Sequence, residues 1–99
     1  MWILRSNSAF EAEAVTFRMP RGAIKTIGRA PRADFELDAA LVSRLHCRLT
    51  TSAEGALEVV DLGSTNGTFV NGRRVRRSPL VHGDRLKVGR VELTVERAS

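Results

Sequence analysis

Apolar and polar residues alternate along most of the chain, with the two-residue period of β-strands. The alternation is plain in residues 15–19, where valine, phenylalanine and methionine are separated by threonine and arginine, and again in residues 91–95. Turn residues interrupt these runs roughly every eight to twelve positions, which is typical of antiparallel sandwiches and barrels. We therefore predict an all-β fold with strands near residues 2–4, 15–19, 23–27, 35–37, 47–49, 57–60, 85–88 and 91–95.

Residues 8–14 break this alternation. Their start, Ser8-Ala9-Phe10-Glu11, resembles the capping box that begins many helices. The β-branched and aromatic residues that follow leave room for only one helical turn. We expect a loop here, followed by a strand.

The loop of residues 61–72 is unusually rich in turn residues, with three glycines, two Asn-Gly pairs and several hydroxyl groups. The second pair, Asn71-Gly72, is typical of a hairpin turn. Residues 64–67 are not needed for that hairpin, and their types favour a shaped backbone with oriented amides and hydroxyls. This part of the loop indicates a site that grips an anion or a peptide backbone.

The size and composition of the chain indicate one domain. Its 99 residues are enough for a hydrophobic core, so residues 1–99 are interpreted as a single unit. No uninterrupted apolar run exceeds four residues, so we expect neither a membrane partner nor a signal peptide. The one cysteine, Cys47, cannot form an internal disulfide, which favours a reducing compartment. We expect a cytoplasmic, intracellular location.

Positive charge is in excess, and 14 of the 16 basic residues are arginines. Guanidinium groups match phosphate and carboxylate groups, so nucleic acid is one candidate partner. The chain has only 5% aromatic residues and no tyrosine, which leaves little with which to stack single-stranded bases. We interpret the densest cluster first as a solvated strand edge that discourages pairing with other chains. This cluster holds Arg73, Arg74, Arg76 and Arg77.

The sequence offers little for catalysis or metal binding. His46 and Cys47 are adjacent near a predicted strand, so their side chains point to opposite faces and do not form a base–nucleophile pair. Nothing in the sequence places His82 near Cys47, and a lone cysteine in an alternating run is usually a core residue. Two histidines and one cysteine give no ligand-spaced cluster. We expect no enzymatic activity, no metal and no cofactor.

Three short segments with anion-binding residues stand where predicted strands begin or end. If these loops meet at one end of a sandwich, they form a cationic, hydrogen-bonding pocket. Its side chains would be Arg29, Ser43, Arg44, Thr65 and Asn66.

Four motifs occur in order along the chain: Gly28-Arg29, Ser43-Arg44-x-His46, residues 61–68 with Asn71-Gly72, and Leu80-x-x-Gly83-Asp84 with Gly89. Together, over about residues 24–95, they resemble the forkhead-associated (FHA) domain family. The resemblance implies a two-sheet antiparallel β-sandwich of about eleven short strands, with recognition loops at one end. That architecture agrees with the strands predicted from the alternation.

The resemblance also implies recognition of phosphothreonine in extended peptides, without catalysis. Arg29 and Ser43 are then expected to contact the phosphate, with a hydroxyl from Thr65. Asn66 is expected to bond the peptide main chain, because its amide both donates and accepts. Arg44 either adds a phosphate contact or is a solvated loop charge. The remaining motif residues are expected to shape the loops: Gly28, His46, Gly63, Gly67, Asn71 and Gly72.

These observations predict a module that binds a phosphothreonine-containing protein or peptide and couples an upstream Ser/Thr kinase to a partner. Leu41, in the loop before Ser43, is expected to favour an apolar residue of the ligand. Two alternatives stay open. One is electrostatic nucleic-acid binding through the arginines of residues 73–77, and the other is a phosphate-independent scaffold or oligomerisation module.

Overall fold

A computed structural model describes residues 1–6 and 14–98 of the chain. Apart from its last residue, the loop expected over residues 8–14 lies outside the described residues. Within them the chain forms eleven strands and no helix, which confirms the all-β prediction. The strands are β1 (Trp2–Ser6), β2 (Thr16–Met19), β3 (Ile24–Gly28), β4 (Phe35–Glu36), β5 (Cys47–Thr51), β6 (Leu57–Asp61), β7 (Thr68–Val70), β8 (Arg73–Val75), β9 (Arg77–Leu80), β10 (Arg85–Val88) and β11 (Val91–Arg97).

The strands form two sheets, as the family resemblance implied. A six-stranded sheet has the order β2-β1-β11-β10-β7-β8, and a five-stranded sheet has the order β4-β3-β5-β6-β9. The described strand pairs are antiparallel except for β3 and β4, which run parallel with Ile27 opposite Phe35. Alternation does not reveal this parallel pair, because β4 has only two residues.

Alternate residues of both sheets fill one hydrophobic core. Leu93 and Val95 of the six-stranded sheet are fully buried, and so are Leu49 and Val59 of the five-stranded sheet. Each such side chain contributes about 1.5 to 3 kcal/mol when it leaves water. This shared core holds the two sheets face to face.

The arginine cluster lies along two sheet edges. β8 ends the six-stranded sheet and β9 ends the five-stranded sheet. Arg73 and Arg74 belong to β8 and Arg77 to β9, which also contains Pro79. Arginines and proline at an edge discourage pairing with another chain, so the topology supports the edge interpretation of this cluster.

The register of the five-stranded sheet brings three loops to one end of the sandwich. Ile27 near the end of β3 lies opposite Cys47 at the start of β5, and Cys47 lies opposite Asp61 at the end of β6. The segments of residues 29–34, 37–46 and 62–67 therefore leave the sheet on the same side. The side chains predicted from the sequence to bind ligand belong to these loops.

Candidate functional site

Gly28 allows the first two of these loops to touch. A Cβ atom at Gly28 would overlap the carbonyl oxygen of Arg44, so the backbones approach too closely for any other residue. The N–H of Arg29 donates to the carbonyl oxygen of Ser43 at 2.9 Å, and the N–H of Ala30 donates to that of Arg44 at 3.1 Å. Arg29 and Ser43 are thereby held side by side.

The exposed side chain of Arg29 is oriented by one hydrogen bond. Its Nε donates to the carbonyl oxygen of Val42 at 3.1 Å. A guanidinium group has five N–H donors, so the two terminal nitrogens keep four for a ligand. Held in this way, Arg29 offers a fork of donors that suits a phosphate or a carboxylate.

Ser43 connects the second loop to the third. Its Oγ accepts a 3.1 Å hydrogen bond from the N–H of Thr65, which leaves the hydroxyl proton of Ser43 available to a ligand. Thr65 is exposed and brings a second hydroxyl to the same place. Ser43 and Thr65 therefore bring two hydroxyl-bearing side chains to the depression that Arg29 also lines.

His46 is a buried link between the same two loops. Its Nδ1 accepts a 3.0 Å hydrogen bond from the N–H of Ser43, so the proton resides on Nε2. Nε2 then donates to the carbonyl oxygen of Gly67 at 2.8 Å. Both ring nitrogens are occupied and the side chain has no exposed surface, which supports a structural role.

The carboxylate of Asp61 holds the third loop in shape through hydrogen bonds. One carboxylate oxygen accepts from the N–H groups of Gly63 and Ser64, each at 3.1 Å. The other accepts from the hydroxyl of Ser64 and, at 2.7 Å, from that of Thr68. Partial burial raises the pKa of Asp61, but these hydrogen bonds outweigh it and hold the pKa below the ordinary value of 3.8.

Sequence reasoning did not include Asp61 among the site residues. The sequence does contain an indication of its role, because an aspartate two residues before a glycine and three before a serine is typical of an Asx-turn. Gly63 itself has a φ of 74°, in the left-handed region that favours glycine. Asp61 therefore shapes the loop that carries Thr65 and Asn66.

The side chain of Arg74 lies across Gly67. A Cβ at Gly67 would stand 2.7 Å from Nε and 3.0 Å from Cζ of Arg74, and Gly67 has a φ of 89°. Arg74 belongs to β8, where it pairs with Phe69 of β7. An edge strand is thus in contact with the loop of residues 62–67, which the sequence did not predict.

Asn66 bridges the second and third loops at the surface. Its Nδ2 donates to the carbonyl oxygen of Leu41 at 3.2 Å. Leu41 has a φ of 69°, unusual for a residue that is not glycine, and 46% of it is exposed. Its backbone carbonyl is turned toward Asn66 while its side chain faces solvent.

These residues surround one open depression of about 630 Å³, which holds four of the five side chains predicted to bind ligand. The fifth, Arg44, does not line it. The depression also contains Asp38, a carboxylate that the sequence did not single out. The lining consists of Arg29, residues 38–43, Thr65 and Asn66.

Arg44 faces an adjacent depression instead. This second depression is lined by Arg29, residues 30–32 and Arg44. Among the residues that the structure describes, only Arg29 lines both depressions. The side chains of Arg44 and of its chain neighbour Ser43 therefore face different depressions.

Asn71 and Gly72 form the turn between β7 and β8. Their φ values, 51° and 82°, are both positive, as a two-residue type I′ hairpin requires. The side chain of Asn71 also donates to the carboxylate of Asp84 at 3.0 Å, which ties the hairpin to the turn before β10. These residues shape the fold outside the depression.

Cys47 is placed in the core rather than in a reactive position. Burial and the nearby Asp61 carboxylate raise the pKa of its thiol to about 12, despite a hydrogen bond with Thr68 that acts the other way. His82 lies in the turn between β9 and β10 and accepts a hydrogen bond from the N–H of Arg97. In residues 1–6 and 14–98, no three potential metal-ligating side chains cluster together.

No helix among the described residues has the length and apolar character needed to cross a membrane.

Comparison with known proteins identifies a family. The FHA domain model matches residues 25–89 of the chain. The oxoglutarate dehydrogenase inhibitor of Corynebacterium efficiens is 45% identical over 69 residues, which cover 69% of this chain and 47% of that protein. The chain thus spans about half the length of this relative and of the oxoglutarate dehydrogenase inhibitor of Corynebacterium diphtheriae.

Solved structures share the fold over nearly the full chain. The FHA domain of the CT664 protein from Chlamydia trachomatis has a TM-score of 0.89 and 23% identity, covering 99% of this chain and 98% of that one. An FHA structure from work on phosphothreonine-dependent FHA domain interactions has a TM-score of 0.86 and 30% identity, covering 99% and 97%.

Proposed function

Because the chain belongs to the FHA domain family, we propose that it binds proteins or peptides through a phosphothreonine residue. The observation that carries the proposal is the placement of the Arg29 guanidinium and the Ser43 hydroxyl in one open depression. The solved FHA structure associated with phosphothreonine-dependent interactions supports the same class of ligand.

The phosphate group would lie against Arg29, Ser43 and Thr65. A phosphate monoester carries about −1.5 to −2 charges near pH 7 and accepts hydrogen bonds through three oxygens. The terminal nitrogens of Arg29 supply a charged fork, and the two hydroxyl groups supply neutral donors beside it. Hydrogen bonds from the N–H of Ser43 to His46 and from the N–H of Thr65 to the Ser43 hydroxyl hold the two hydroxyl-bearing residues side by side.

Asn66 would bind the peptide main chain next to the phosphothreonine. Its Nδ2 is already anchored on the carbonyl oxygen of Leu41, whereas its Oδ1 has no partner among the described residues. A peptide N–H can therefore donate to Oδ1 without breaking the anchoring bond. This arrangement selects an extended peptide, because the main chain must pass close to the third loop.

We propose that the domain couples an upstream Ser/Thr kinase to the protein that it binds. The function requires no chemistry at the site, so we propose a binding module and not an enzyme. Its buried, unpaired Cys47 suits the reducing conditions of the cytoplasm, where we place the domain. We further propose that residues 1–99 act as one domain, since both sheets share one core.

Calorimetric titration with phosphothreonine peptides tests the proposal. One charged anchor and a few backbone bonds predict micromolar affinity, about −8 kcal/mol. Arg29→Ala is expected to weaken binding at least about tenfold, because it removes the charge-assisted bonds. Arg18→Ala, a change at an exposed arginine on β2, is the matched control and should bind like the parent. Binding that ignores either the phosphate or Arg29 would refute the proposal.

The salt dependence of binding and the sedimentation mass of the domain separate the two alternatives. Nucleic-acid binding through the arginine cluster predicts affinity that falls steeply with salt and does not depend on Ser43. Two arginines of the cluster already have partners within the domain. The side chain of Arg74 packs across Gly67, and Arg77 Nε lies 3.5 Å from the carboxylate of Glu58. A scaffold that self-associates predicts a sedimentation mass above that of one chain, with or without phosphopeptide.

A further inference from the structure

The second depression is bounded by three arginines. Arg29, Arg32 and Arg44 line it together with Ala30 and Pro31, and its volume is about 540 Å³. Arg29 also lines the phosphate depression, so the two adjoin at this residue.

The turn that carries Arg32 is held in a defined shape. The N–H of Ala33 donates to the carbonyl oxygen of Ala30 at 3.0 Å, which closes a four-residue turn. Pro31 occupies the second position of that turn, where its fixed φ is favourable. Ala33 is buried and anchors the turn to the domain. Arg32 is thus presented from a short, well-supported loop.

The opposite wall is fixed by backbone contacts. The N–H of Ala30 donates to the carbonyl oxygen of Arg44, and Gly28 permits that close approach. Arg32 and Arg44, which lie on different loops, are therefore brought to the same depression by the bonding that also holds Arg29 beside Ser43.

The positive charge of this depression is not neutralised within the described residues. Within those residues Arg5, Arg77 and Arg85 form ion pairs with glutamates, whereas none of the three lining arginines pairs with a carboxylate. The nearby carboxylate of Asp34 is engaged elsewhere, by the N–H of Thr26 at 2.9 Å and its hydroxyl at 3.2 Å. Three like charges around one depression attract an anion strongly.

We propose that this depression is a second anion subsite, which binds an acidic side chain of the same peptide. The side chain is either a second phosphorylated residue or a carboxylate, since both suit a guanidinium fork. The inference rests on the proposed phosphothreonine site. Leu41 and Asn66 line only the first depression, so the acidic side chain lies on the side of the phosphothreonine directed away from them.

Fluorescence anisotropy with a matched peptide set tests the subsite. Each peptide carries one phosphothreonine, and glutamate or a second phosphothreonine replaces a neutral residue at each flanking position in turn. An anionic residue on one side is expected to tighten binding about fivefold or more, with the phosphate stronger than the carboxylate. Arg32→Gln should reduce this gain to less than about twofold, and Arg18→Gln, which removes the same charge at a remote position, should keep it.

The outcomes distinguish the subsite from the main site. Affinity for the peptide with neutral flanks should be unchanged in Arg32→Gln, and Arg32→Lys should restore part of the gain. An anionic residue that adds nothing at any position, or an Arg32→Gln variant that keeps the full gain, overturns the subsite while leaving phosphothreonine binding intact. Failure of the neutral-flank peptide to bind the parent domain overturns the main proposal instead.

Discussion

His46 donates from Nε2 to the carbonyl oxygen of Gly67 at 2.8 Å and thereby joins two loops whose residues are 21 positions apart. Its Nδ1 accepts a hydrogen bond from the N–H of Ser43. One imidazole therefore joins the two loops whose side chains are proposed to donate hydrogen bonds to the phosphate. Neither nitrogen has capacity left for a ligand. The ring acts on binding only through the positions of Ser43 and of the loop around Gly67.

Replacement of His46 by alanine should destabilise the domain and weaken peptide binding together. It leaves a buried cavity, an unpaired N–H and an unpaired carbonyl oxygen, which together cost about 2 to 4 kcal/mol of unfolding free energy. Urea denaturation measures this loss. His82→Ala is the control, because His82 is exposed in the turn between β9 and β10. Equal stability of the two variants would contradict the linking role of His46.

Gly28→Ala should be far more damaging than Gly22→Ala. Gly22 has a positive φ of 77° but open space around it, so alanine there costs about 1 to 2 kcal/mol of backbone strain. Alanine at Gly28 must displace the backbone of Arg44, which separates Arg29 from Ser43. We expect Gly28→Ala to lose phosphopeptide affinity at least about tenfold, and Gly22→Ala to retain it. Titration of both variants, with a thermal melt for each, makes the comparison.

Asp61 should make stability depend on pH in the acid range. Its pKa is lowered by folding from an ordinary value of 3.8, so its contribution is complete above that value and is lost as the pH falls through the folded pKa. Asp61→Asn should cost about 1 to 3 kcal/mol of unfolding free energy at pH 7. The difference between parent and variant should shrink as the pH falls below about 4.

Urea denaturation between neutral and acid pH tests this prediction for Asp61. Ser64→Ala removes two hydrogen bonds of the Ser64 hydroxyl, the one that it donates to Asp61 and the one that it accepts from the N–H of Gly67. This variant should therefore show the same pH-dependent loss of stability as Asp61→Asn, but a smaller one. A gap between parent and Asp61→Asn that stays constant down to acid pH would show that the carboxylate charge is not responsible.

Asp38→Asn should strengthen phosphopeptide binding. Asp38 is an exposed carboxylate in the depression proposed to hold a dianion, and repulsion between exposed charges is worth up to about 1 kcal/mol, or about fivefold in affinity. The gain should diminish as salt is added, because screening weakens the repulsion. Glu54→Gln, an exposed change in the segment between β5 and β6, serves as the control. Unaltered affinity at low salt would show that Asp38 does not face the phosphate.

Leu41→Asn should preserve the fold and alter the choice of peptide. Asparagine tolerates the left-handed backbone of residue 41 better than leucine, so the unfolding free energy should not fall and should rise by up to about 1 kcal/mol. If Leu41 contacts an apolar ligand residue, the variant should lose the preference for apolar residues in a phosphothreonine library. A library profile identical to that of the parent would remove Leu41 from the recognition surface.

Much of the fold could be predicted from the sequence because the core uses strict alternation. The strands that contain Phe17, Leu49, Val59 and Leu93 bury alternate residues over most of their length, and this pattern is visible without any structure. β9 does not follow the pattern, since it is an edge strand with only Leu80 buried. The parallel contact of β3 with β4 depends on how residues 29–34 return the chain to β3, which alternation does not show.

The site could be predicted in part, because its residue types follow ligand chemistry. Arg29, Ser43, Thr65 and Asn66 were selected from the sequence, and the structure gathers them in one depression. The position of Arg44 could not be predicted, since it depends on how closely two backbones approach at Gly28. The Asn71-Gly72 turn predicts the hairpin register that pairs Arg74 with Phe69, but the contact of the Arg74 side chain with Gly67 depends on how the loop before β7 packs, which no local motif encodes.

The hydrogen bonds between the three loops exist in the domain on its own, so a peptide need not order them on arrival. Binding to such a preformed surface should be fast, with an association rate constant of about 10⁶ M⁻¹s⁻¹. Micromolar affinity then means release about once per second. A partner held this briefly returns to the reach of phosphatases many times a minute. His46 and Asp61 keep the binding loops rigid in the free domain. The fraction of partner bound would therefore follow the balance of kinase and phosphatase activity, rather than persist after a single phosphorylation event.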